Sequence, residues 1–245
     1  MIEARGISWH VGGAQILDDI SVAVGAGELL GIIGPNGAGK SSLVNILSGV
    51  RRPSQGTIAL GGREVTRLGA TARARRGLAR SFQTSALFDG LSAAENVRLA
   101  IQGTRPRGLS LVRPASATAT AERVEELLVR VRMPGRAAVQ ASGLSHGDRR
   151  KLELAMALAS EPSVLLLDEP MAGVSAEDVD GLTTIIGEVR DAGVAVLMVE
   201  HHMHVVLGLA DRVAVIHHGQ LLACGSASEV TADAEVQRAY LGEAL

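Results

Sequence analysis

The sequence predicts an α/β fold with a mainly parallel sheet that carries helices on both of its faces. Two observations lead to this fold: short apolar runs alternate with helical patterns, and turn residues separate the two kinds of segment. Continuous apolar runs indicate strands that are covered on both sides, as in a parallel sheet. We assign strands to residues 29–33, 57–60, 164–167, 194–199 and 213–216, and helices to residues 39–48, 121–131, 149–159 and 176–191.

Two further regions depart from this alternation. Residues 2–62 carry hairpin-like patterns around Val11-Gly12-Gly13 and around residues 24–27, which predict an antiparallel β subdomain beside the main sheet. Between residues 85 and 143 the strand signals disappear, which indicates a helical insertion. We therefore expect one domain over residues 1–245, with a core at 1–83 and 163–245 and a helical subdomain at 84–162.

The composition restricts the classes of function. Apolar residues make up 47% of the 245 residues, which is enough to bury a core. A net charge of -2 and an aromatic content of 2% give neither the basic surface nor the stacking platforms of a nucleic-acid binder, so we expect no nucleic-acid partner. Residues 1–5 lack a signal-peptide pattern and no apolar run reaches the length of a membrane span, which predicts a cytoplasmic protein.

The single cysteine, Cys224, lies in an apolar stretch, and we expect it to be a buried structural thiol.

A basic run precedes residue 83, and we interpret it as a solvated helix face rather than as a nucleic-acid contact. The run consists of Arg73, Arg75, Arg76 and Arg80.

A glycine-rich loop follows the first buried strand and precedes a helical pattern. Its glycines bring backbone N–H groups close to a phosphate, and the following helix points its positive end at the same charge. Lys40 would reach the β and γ phosphates of a nucleoside triphosphate, and Ser41 would ligate Mg²⁺. Lys40 and Lys151 are the only lysines of the chain, and the flat fork of an arginine cannot replace a compact ammonium in such a loop. The predicted nucleotide-binding residues here are Gly34, Pro35, Asn36, Gly37, Ala38, Gly39, Lys40, Ser41 and Ser42.

A second apolar run ends in two acids, Asp168 and Glu169. This places two carboxylates at the rim where open α/β sheets bind their ligands. We expect Asp168 to be the Mg²⁺ partner, acting through water, and Glu169 to be the general base that polarises the attacking water. Taken alone, the pair would also suit the start of a helix with solvated acids.

Five motifs follow one another along the chain. They are the loop at residues 34–41, Gln83 in Ser81-Phe82-Gln83-Thr84, Leu144-Ser145-His146-Gly147-Asp148, Asp168-Glu169, and His201 after a buried strand. In this order the chain resembles an ATP-binding-cassette ATPase over almost its whole length. The resemblance implies a P-loop NTPase core, with residues 1–83 and 163–245 binding the nucleotide, and ATP and Mg²⁺ as cofactors.

The resemblance also implies roles for single residues. Gln83 would approach Mg²⁺ or the attacking water, so that Mg²⁺ is ligated by Ser41, Gln83 and Asp168. Catalysis would then involve Glu169, Gln83 and the switch histidine His201, which can donate a hydrogen bond to a γ-phosphate oxygen.

Ser145 and Gly147 would contact the γ-phosphate that a second ATPase subunit holds, so that ATP bridges two subunits. Val11 occupies the position of the family's adenine-stacking aromatic, with Trp9 two residues earlier, and we expect relaxed selectivity for the base. Ser175 stands where many members have an aspartate.

The closing segments, residues 221–226 and 239–244, resemble the ends of ATPases that drive branched-chain amino-acid importers. This implies a subunit that energises the import of branched-chain or related amino acids by ATP-driven dimerisation, as a peripheral protein on the cytoplasmic side of the cell membrane. The implied partners are transmembrane permease subunits, a second ATPase subunit in a homodimer or a heterodimer and, indirectly, a periplasmic or extracellular substrate-binding protein. Urea or amide import, lipid or lipopolysaccharide export, and a nucleotide-dependent interaction module without transport remain open alternatives.

Overall fold

The computed structural model describes residues 1–81, 87–103 and 117–241, which form two compact units. The first unit contains Met1–Arg80, Ser163–Pro170 and Val189–Leu245, and the second contains Ser81–Pro162 and Met171–Glu188. Residues 81–83 and 171–188, which the sequence analysis assigned to the core, belong to the second of these units.

The elements alternate along the chain much as the sequence indicates. The strands are β1 (Ile2–Val11), β2 (Ala14–Val24), β3 (Leu29–Ile33), β4 (Gln55–Leu60), β5 (Arg63–Glu64), β6 (Leu78–Arg80), β7 (Val164–Asp168), β8 (Ala195–Val199), β9 (Arg212–His217) and β10 (Gln220–Gly225). The helices are α1 (Lys40–Leu47), α2 (Ala70–Ala74), α3 (Ala93–Gly103), α4 (Ala117–Arg130), α5 (His146–Leu158), α6 (Ala176–Asp191), α7 (Met203–Leu209), α8 (Ala227–Ala232) and α9 (Ala234–Leu241).

The first unit is built on two sheets. The larger sheet has the strand order β10-β9-β3-β8-β7-β6, and all of its pairs are parallel except that of β9 with β10. The smaller sheet, β2-β1-β4-β5, is antiparallel. This arrangement confirms the predicted α/β fold with a mainly parallel sheet and an antiparallel subdomain.

The parallel strands β3, β7 and β8 are buried at every residue, as their continuous apolar sequences require. Their side chains join those of the small sheet and of α1 in one apolar cluster. Since parallel strands end at the same edge of a sheet, β3, β7 and β8 bring the residues that follow them to a common rim.

Two sequence interpretations of local structure need correction. The turn at Gly12-Gly13 joins β1 and β2 as a hairpin, as predicted, but residues 24–27 do not form a second hairpin: they lead from the small sheet into β3 of the large one. Helix α5 begins at His146, three residues before the predicted start, because Ser145 caps it.

The basic run is only partly a solvated face. Arg75 and Arg76 are exposed, but Arg73 is fully buried and the side chain of Arg80 is 10% exposed. Both buried guanidinium groups have internal acceptors, which compensate the loss of water.

The prediction of a buried thiol is wrong, because Cys224 is exposed. It belongs to β10, which lies at the edge of the large sheet and is only partly covered. There the thiol accepts a hydrogen bond of 3.1 Å from a guanidinium nitrogen of Arg212.

Among the helices that the structure describes, none combines the length and the apolar character that crossing a membrane requires.

Candidate functional site

The glycine-rich loop links the buried strand β3 to α1, as the sequence predicts. Gly34 has φ 154°, and a Cβ atom there would collide with the carbonyl oxygen of Ile216. Gly39 has φ 104°, and a Cβ there would lie 2.7 Å from Cδ2 of Leu17. Only glycine can therefore hold the chain in this path, which leaves the N-terminal backbone amides of α1 at the end of the loop.

Lys40 turns its ammonium group back into this loop. Nζ donates to the carbonyl oxygens of Gly34 at 2.6 Å and of Pro35 at 2.9 Å, and the residue is 5% exposed. Burial lowers the pKa of Lys40, while the negative charges of Glu169 and Asp168 act in the opposite direction. A buried ammonium held by two neutral carbonyls fits an anionic ligand, because phosphate oxygens would bind it more strongly.

Asp168, the last residue of β7, has a fully buried carboxylate. Its Oδ2 accepts a hydrogen bond of 3.0 Å from Arg80, whose other terminal nitrogen donates to Oδ1 of Asn45 at 2.7 Å and to Oγ of Ser48 at 3.0 Å. Burial raises the pKa of Asp168, and the positive charge of Arg80 opposes that rise. Arg80 thus joins the carboxylate to α1 and its C-terminal cap, a role that the basic run did not suggest.

Glu169 and His201 follow the adjacent strands β7 and β8 and meet at the rim. Nε2 of His201 lies 2.6 Å from Oε1 of Glu169. Glu169 has φ 51°, an uncommon value for a residue other than glycine, and its amide donates to the carbonyl of Val199 on β8. Both side chains are partly exposed, at 22% for Glu169 and 42% for His201, so a ligand can reach them.

Glu200 is a residue that the sequence argument missed. Its carboxylate is 1% exposed and accepts hydrogen bonds from the amides of His201 and His202, at 2.8 and 3.2 Å, and lies 2.9 Å from Nδ1 of His202. The backbone that carries His201 is therefore fixed from inside the protein. The available signal was an acid at the end of the apolar run 194–199.

The serine-glycine motif lies in the second unit, at the start of α5. Ser145 is the exposed N-cap, and its Oγ accepts a hydrogen bond of 3.1 Å from the amide of Asp148. Gly147 is buried, and a Cβ atom there would lie 2.5 Å from Cγ of Asp178. The helix start is thus an exposed donor surface that only glycine allows to pack against α6.

Four other predicted site residues belong to the first unit. Trp9 is partly buried and packs against the core, whereas Val11 is 49% exposed at the end of β1. Ser41 and Ser42 are half-buried in the first turn of α1. Gln83 lies outside the described residues.

Comparison with protein families identifies the chain. The model of the family "ABC transporter" matches residues 17–172, which include the glycine-rich loop, the serine-glycine motif and both acids. This chain belongs to the ABC transporter family. A second model, "Branched-chain amino acid ATP-binding cassette transporter", matches residues 220–245.

Relatives and solved structures of the ABC family agree with this assignment. The high-affinity branched-chain amino acid transport ATP-binding protein LivG of Salmonella typhimurium is 35% identical over 100% of the chain and 98% of the relative. The lipopolysaccharide export system ATP-binding protein LptB of Acidithiobacillus ferridurans is 37% identical over 93% of the chain and 91% of the relative. A crystal structure of the ADP conformation of an ATP-binding cassette from an ABC transporter aligns with a TM-score of 0.87 at 26% identity, over 99% of each chain.

These comparisons confirm the resemblance to the cassette ATPases, including the branched-chain type, and the predicted P-loop NTPase fold. As a member of the ABC family, the chain is an ATP-hydrolysing transporter subunit.

Proposed function

We propose that this ABC subunit hydrolyses ATP to energise the import of branched-chain or related amino acids. The observation that supports this cargo class is the match of residues 220–245 to the branched-chain cassette model, together with the end-to-end similarity to LivG. The ATPase chemistry is assigned separately, to the rim where Lys40, Asp168, Glu169 and His201 lie.

ATP binds with its phosphates in the loop at residues 34–39 and the amides at the start of α1. Lys40 exchanges its two neutral carbonyl partners for β- and γ-phosphate oxygens, which are charged and therefore stronger acceptors. The exposed Val11 lies beside the base, and Trp9 supports β1 from the core. Without an aromatic at position 11, we expect weak discrimination between ATP and GTP.

Oxygen donors at the rim fit a magnesium ion. Ser41 offers a hydroxyl in the first turn of α1, and Asp168 offers a carboxylate at the end of β7; Mg²⁺ prefers such ligands together with phosphate oxygens and water. We assign Ser41, Gln83 and Asp168 to this ion. When bound, it neutralises phosphate charge.

Glu169 acts as the general base. Its carboxylate accepts a proton from the water that attacks the γ-phosphorus, and His201, 2.6 Å from it, orients the carboxylate and donates to a γ-phosphate oxygen. Glu200 holds the backbone of His201 in place during this step. We also assign Gln83 to the catalytic residues. In this role it would connect the nucleotide site to the helical subdomain.

The γ-phosphate of each ATP also contacts Ser145 and Gly147 of a second subunit. An exposed hydroxyl at a helix N-cap, at the positive end of the helix dipole, is suited to an anion. ATP therefore closes a dimer, and hydrolysis releases it. The closing motion acts on transmembrane permease subunits at the cytoplasmic face of the membrane, while a separate substrate-binding protein delivers the cargo on the other side.

Substitution of Glu169 tests the ATPase part of this proposal. Glu169→Gln keeps the shape of the side chain but removes the base, and should slow hydrolysis by about 10²-fold or more while ATP traps a stable dimer. Lys40→Met should lose nucleotide affinity and form no such dimer. Hydrolysis by Glu169→Gln at the parental rate would contradict the assignment of the base.

Uptake by the source organism tests the cargo. Deletion of the gene for this chain should abolish high-affinity uptake of labelled leucine, isoleucine and valine, and the parental gene, but not one encoding Lys40→Met, should restore it. The similarity to LptB makes lipopolysaccharide export the second candidate. Normal amino-acid uptake together with an outer-membrane defect in the deletion strain would favour that candidate instead.

A further inference from the structure

Lys151 connects the starts of two helices in the second unit. Its Nζ lies 3.4 Å from Oδ1 of Asp148, in the first turn of α5, and 3.4 Å from Oδ1 of Asp178, in the first turn of α6. The Lys151 side chain is 13% exposed, and those of Asp148 and Asp178 are 17% and 32% exposed. One largely buried cation therefore bridges two carboxylates from different helices.

The packing around this bridge leaves Asp178 little freedom. Ser175 donates to Oδ2 of Asp178 at 3.0 Å, so both carboxylate oxygens have partners. Gly147 lies directly against the same carboxylate, since a Cβ at position 147 would approach Oδ2 to 2.5 Å.

This arrangement places two negative charges beside a surface to which we have assigned a phosphate. Asp148 and Asp178 flank Gly147, and their fields would repel the triphosphate of a second subunit. Arg136 also approaches Asp148, at 3.9 Å from Oδ2, but its side chain is 56% exposed and its charge is well screened. Lys151 is the better-buried counter-charge of the two.

We propose that Lys151 is a positioning residue for ATP-driven dimerisation: it offsets one of the two negative charges of the acidic pair and holds the start of α5 against α6, so that Ser145 and Gly147 can receive the partner subunit's γ-phosphate. This inference rests on the function proposed above. It adds a residue that lies outside the five motifs. It also gives a role to Asp178, which lies three residues after Ser175, the position at which many family members have an aspartate.

The use of lysine supports this role. Of the 24 Lys and Arg residues of the chain, all except Lys40 and Lys151 are arginines. A compact ammonium can approach two carboxylates that converge from different helices, whereas a planar guanidinium is wider and favours paired acceptors in its own plane. Position 151 thus shares the chemical requirement of position 40.

The test measures the dimer affinity in the Glu169→Gln background with ATP and Mg²⁺, by analytical ultracentrifugation. Lys151→Met should weaken the ATP-bound dimer about tenfold, because a buried charge partner near the interface is lost. Binding of a fluorescent ATP analogue to the monomer should be unchanged, since Lys40 and its loop are untouched. The weakening should shrink as salt rises from about 0.05 M to about 0.5 M, because salt partly screens the carboxylates, which are 17% and 32% exposed.

Two further variants separate this electrostatic role from a structural one. The double variant Lys151→Met with Asp178→Asn removes one carboxylate with the cation, and should regain most of the dimer affinity. Arg132→Met is the matched control, because Arg132 pairs with Glu188 on the same helix α6 at 2.8 Å with both side chains about half exposed. It should leave the dimer affinity at the parental value.

The possible outcomes are distinguishable. If Glu169→Gln itself forms no ATP-dependent dimer, the proposed function is wrong. If it dimerises and Lys151→Met dimerises equally well, or weakly without salt dependence and without recovery in the double variant, the role of Lys151 is wrong while the proposed function stands.

Discussion

The two ends of α1 each carry a buried cation, yet only one of them belongs to the proposed site. At the start, the ammonium of Lys40 is held by the carbonyls of Gly34 and Pro35. At the end, the guanidinium of Arg73 donates to the carbonyls of Ile46 and Leu47 at 2.7 Å each. Both charged groups are buried, and in both cases hydrogen bonds to backbone carbonyl oxygens replace those to water.

The difference lies in what could replace those oxygens. Arg73 also donates to the carbonyls of Leu68 and Thr66, so its guanidinium has four acceptors from two chain segments, and burial lowers its pKa to about 10. Lys40 has two acceptors and lies near the charges of Asp168 and Glu169. A cation whose acceptors are complete stabilises a fold, whereas one with few neutral acceptors is available to a ligand.

The largest effect on stability is expected from Arg73→Met. It would remove four hydrogen bonds to carbonyls of the last turn of α1 and of the Thr66–Leu68 segment, at a cost of about 3–5 kcal/mol in the free energy of unfolding. Urea denaturation of the nucleotide-free protein measures this cost. A loss below about 1 kcal/mol would show that the cap at this end of α1 is dispensable.

The matching change at the other end, Lys40→Met, should affect binding and not stability. Because burial disfavours the charged lysine, its removal should change the free energy of unfolding by about 1 kcal/mol or less. ATP should no longer raise the melting temperature, as it does for the parent through preferential binding to the folded state. A melting temperature that still rises with ATP would remove the contrast between the two ends.

Arg73→Lys is a smaller perturbation of the same cap. A lysine keeps the charge but has three donors on one nitrogen, so it can satisfy only part of the four-carbonyl set. We expect a loss of about 1–3 kcal/mol by urea denaturation, between the parent and Arg73→Met. If Arg73→Lys had the same free energy of unfolding as the parent, the positive charge alone, and not the geometry of the guanidinium group, would stabilise this end of α1.

The smallest effect is expected at a third helix end, where a carboxylate replaces the cation. Glu95 accepts hydrogen bonds from the amide and hydroxyl of Ser92 at the start of α3, and these bonds lower its pKa below the usual 4.5. A lowered pKa means that the stabilisation is present above that value and is lost as the pH falls through the folded-state pKa. Glu95→Gln should therefore melt slightly below the parent at neutral pH and match it in acid, as thermal melts across pH would show.

The sequence predicted those parts of the site whose residues are consecutive in the chain. The loop at residues 34–41 and the end of β7 were predictable, because a strand, its turn and the next residue are consecutive in the chain. The contact of His201 with Glu169 was not predicted, because it depends on the parallel pairing of β7 with β8, which only the structure shows. The overall α/β architecture followed from the alternation of apolar runs and helical patterns.

The errors concern residues whose surroundings come from distant segments. Arg73 and Arg80 look like their exposed neighbours Arg75 and Arg76 in sequence, and only the packing of α2 and β6 against α1 separates them. Cys224 lies in an apolar stretch, but β10 is an edge strand and leaves its thiol uncovered. Edge position and internal acceptors are properties of the assembled sheet, which a linear pattern does not encode.

The exposure of Cys224 has a practical consequence for studying the proposed dimer. As the chain's single thiol, it accepts one maleimide dye or nitroxide spin label without any cysteine having to be removed by mutation. In a symmetric pair, two such nitroxides define one interspin distance, and pulsed electron resonance can follow that distance through the nucleotide cycle.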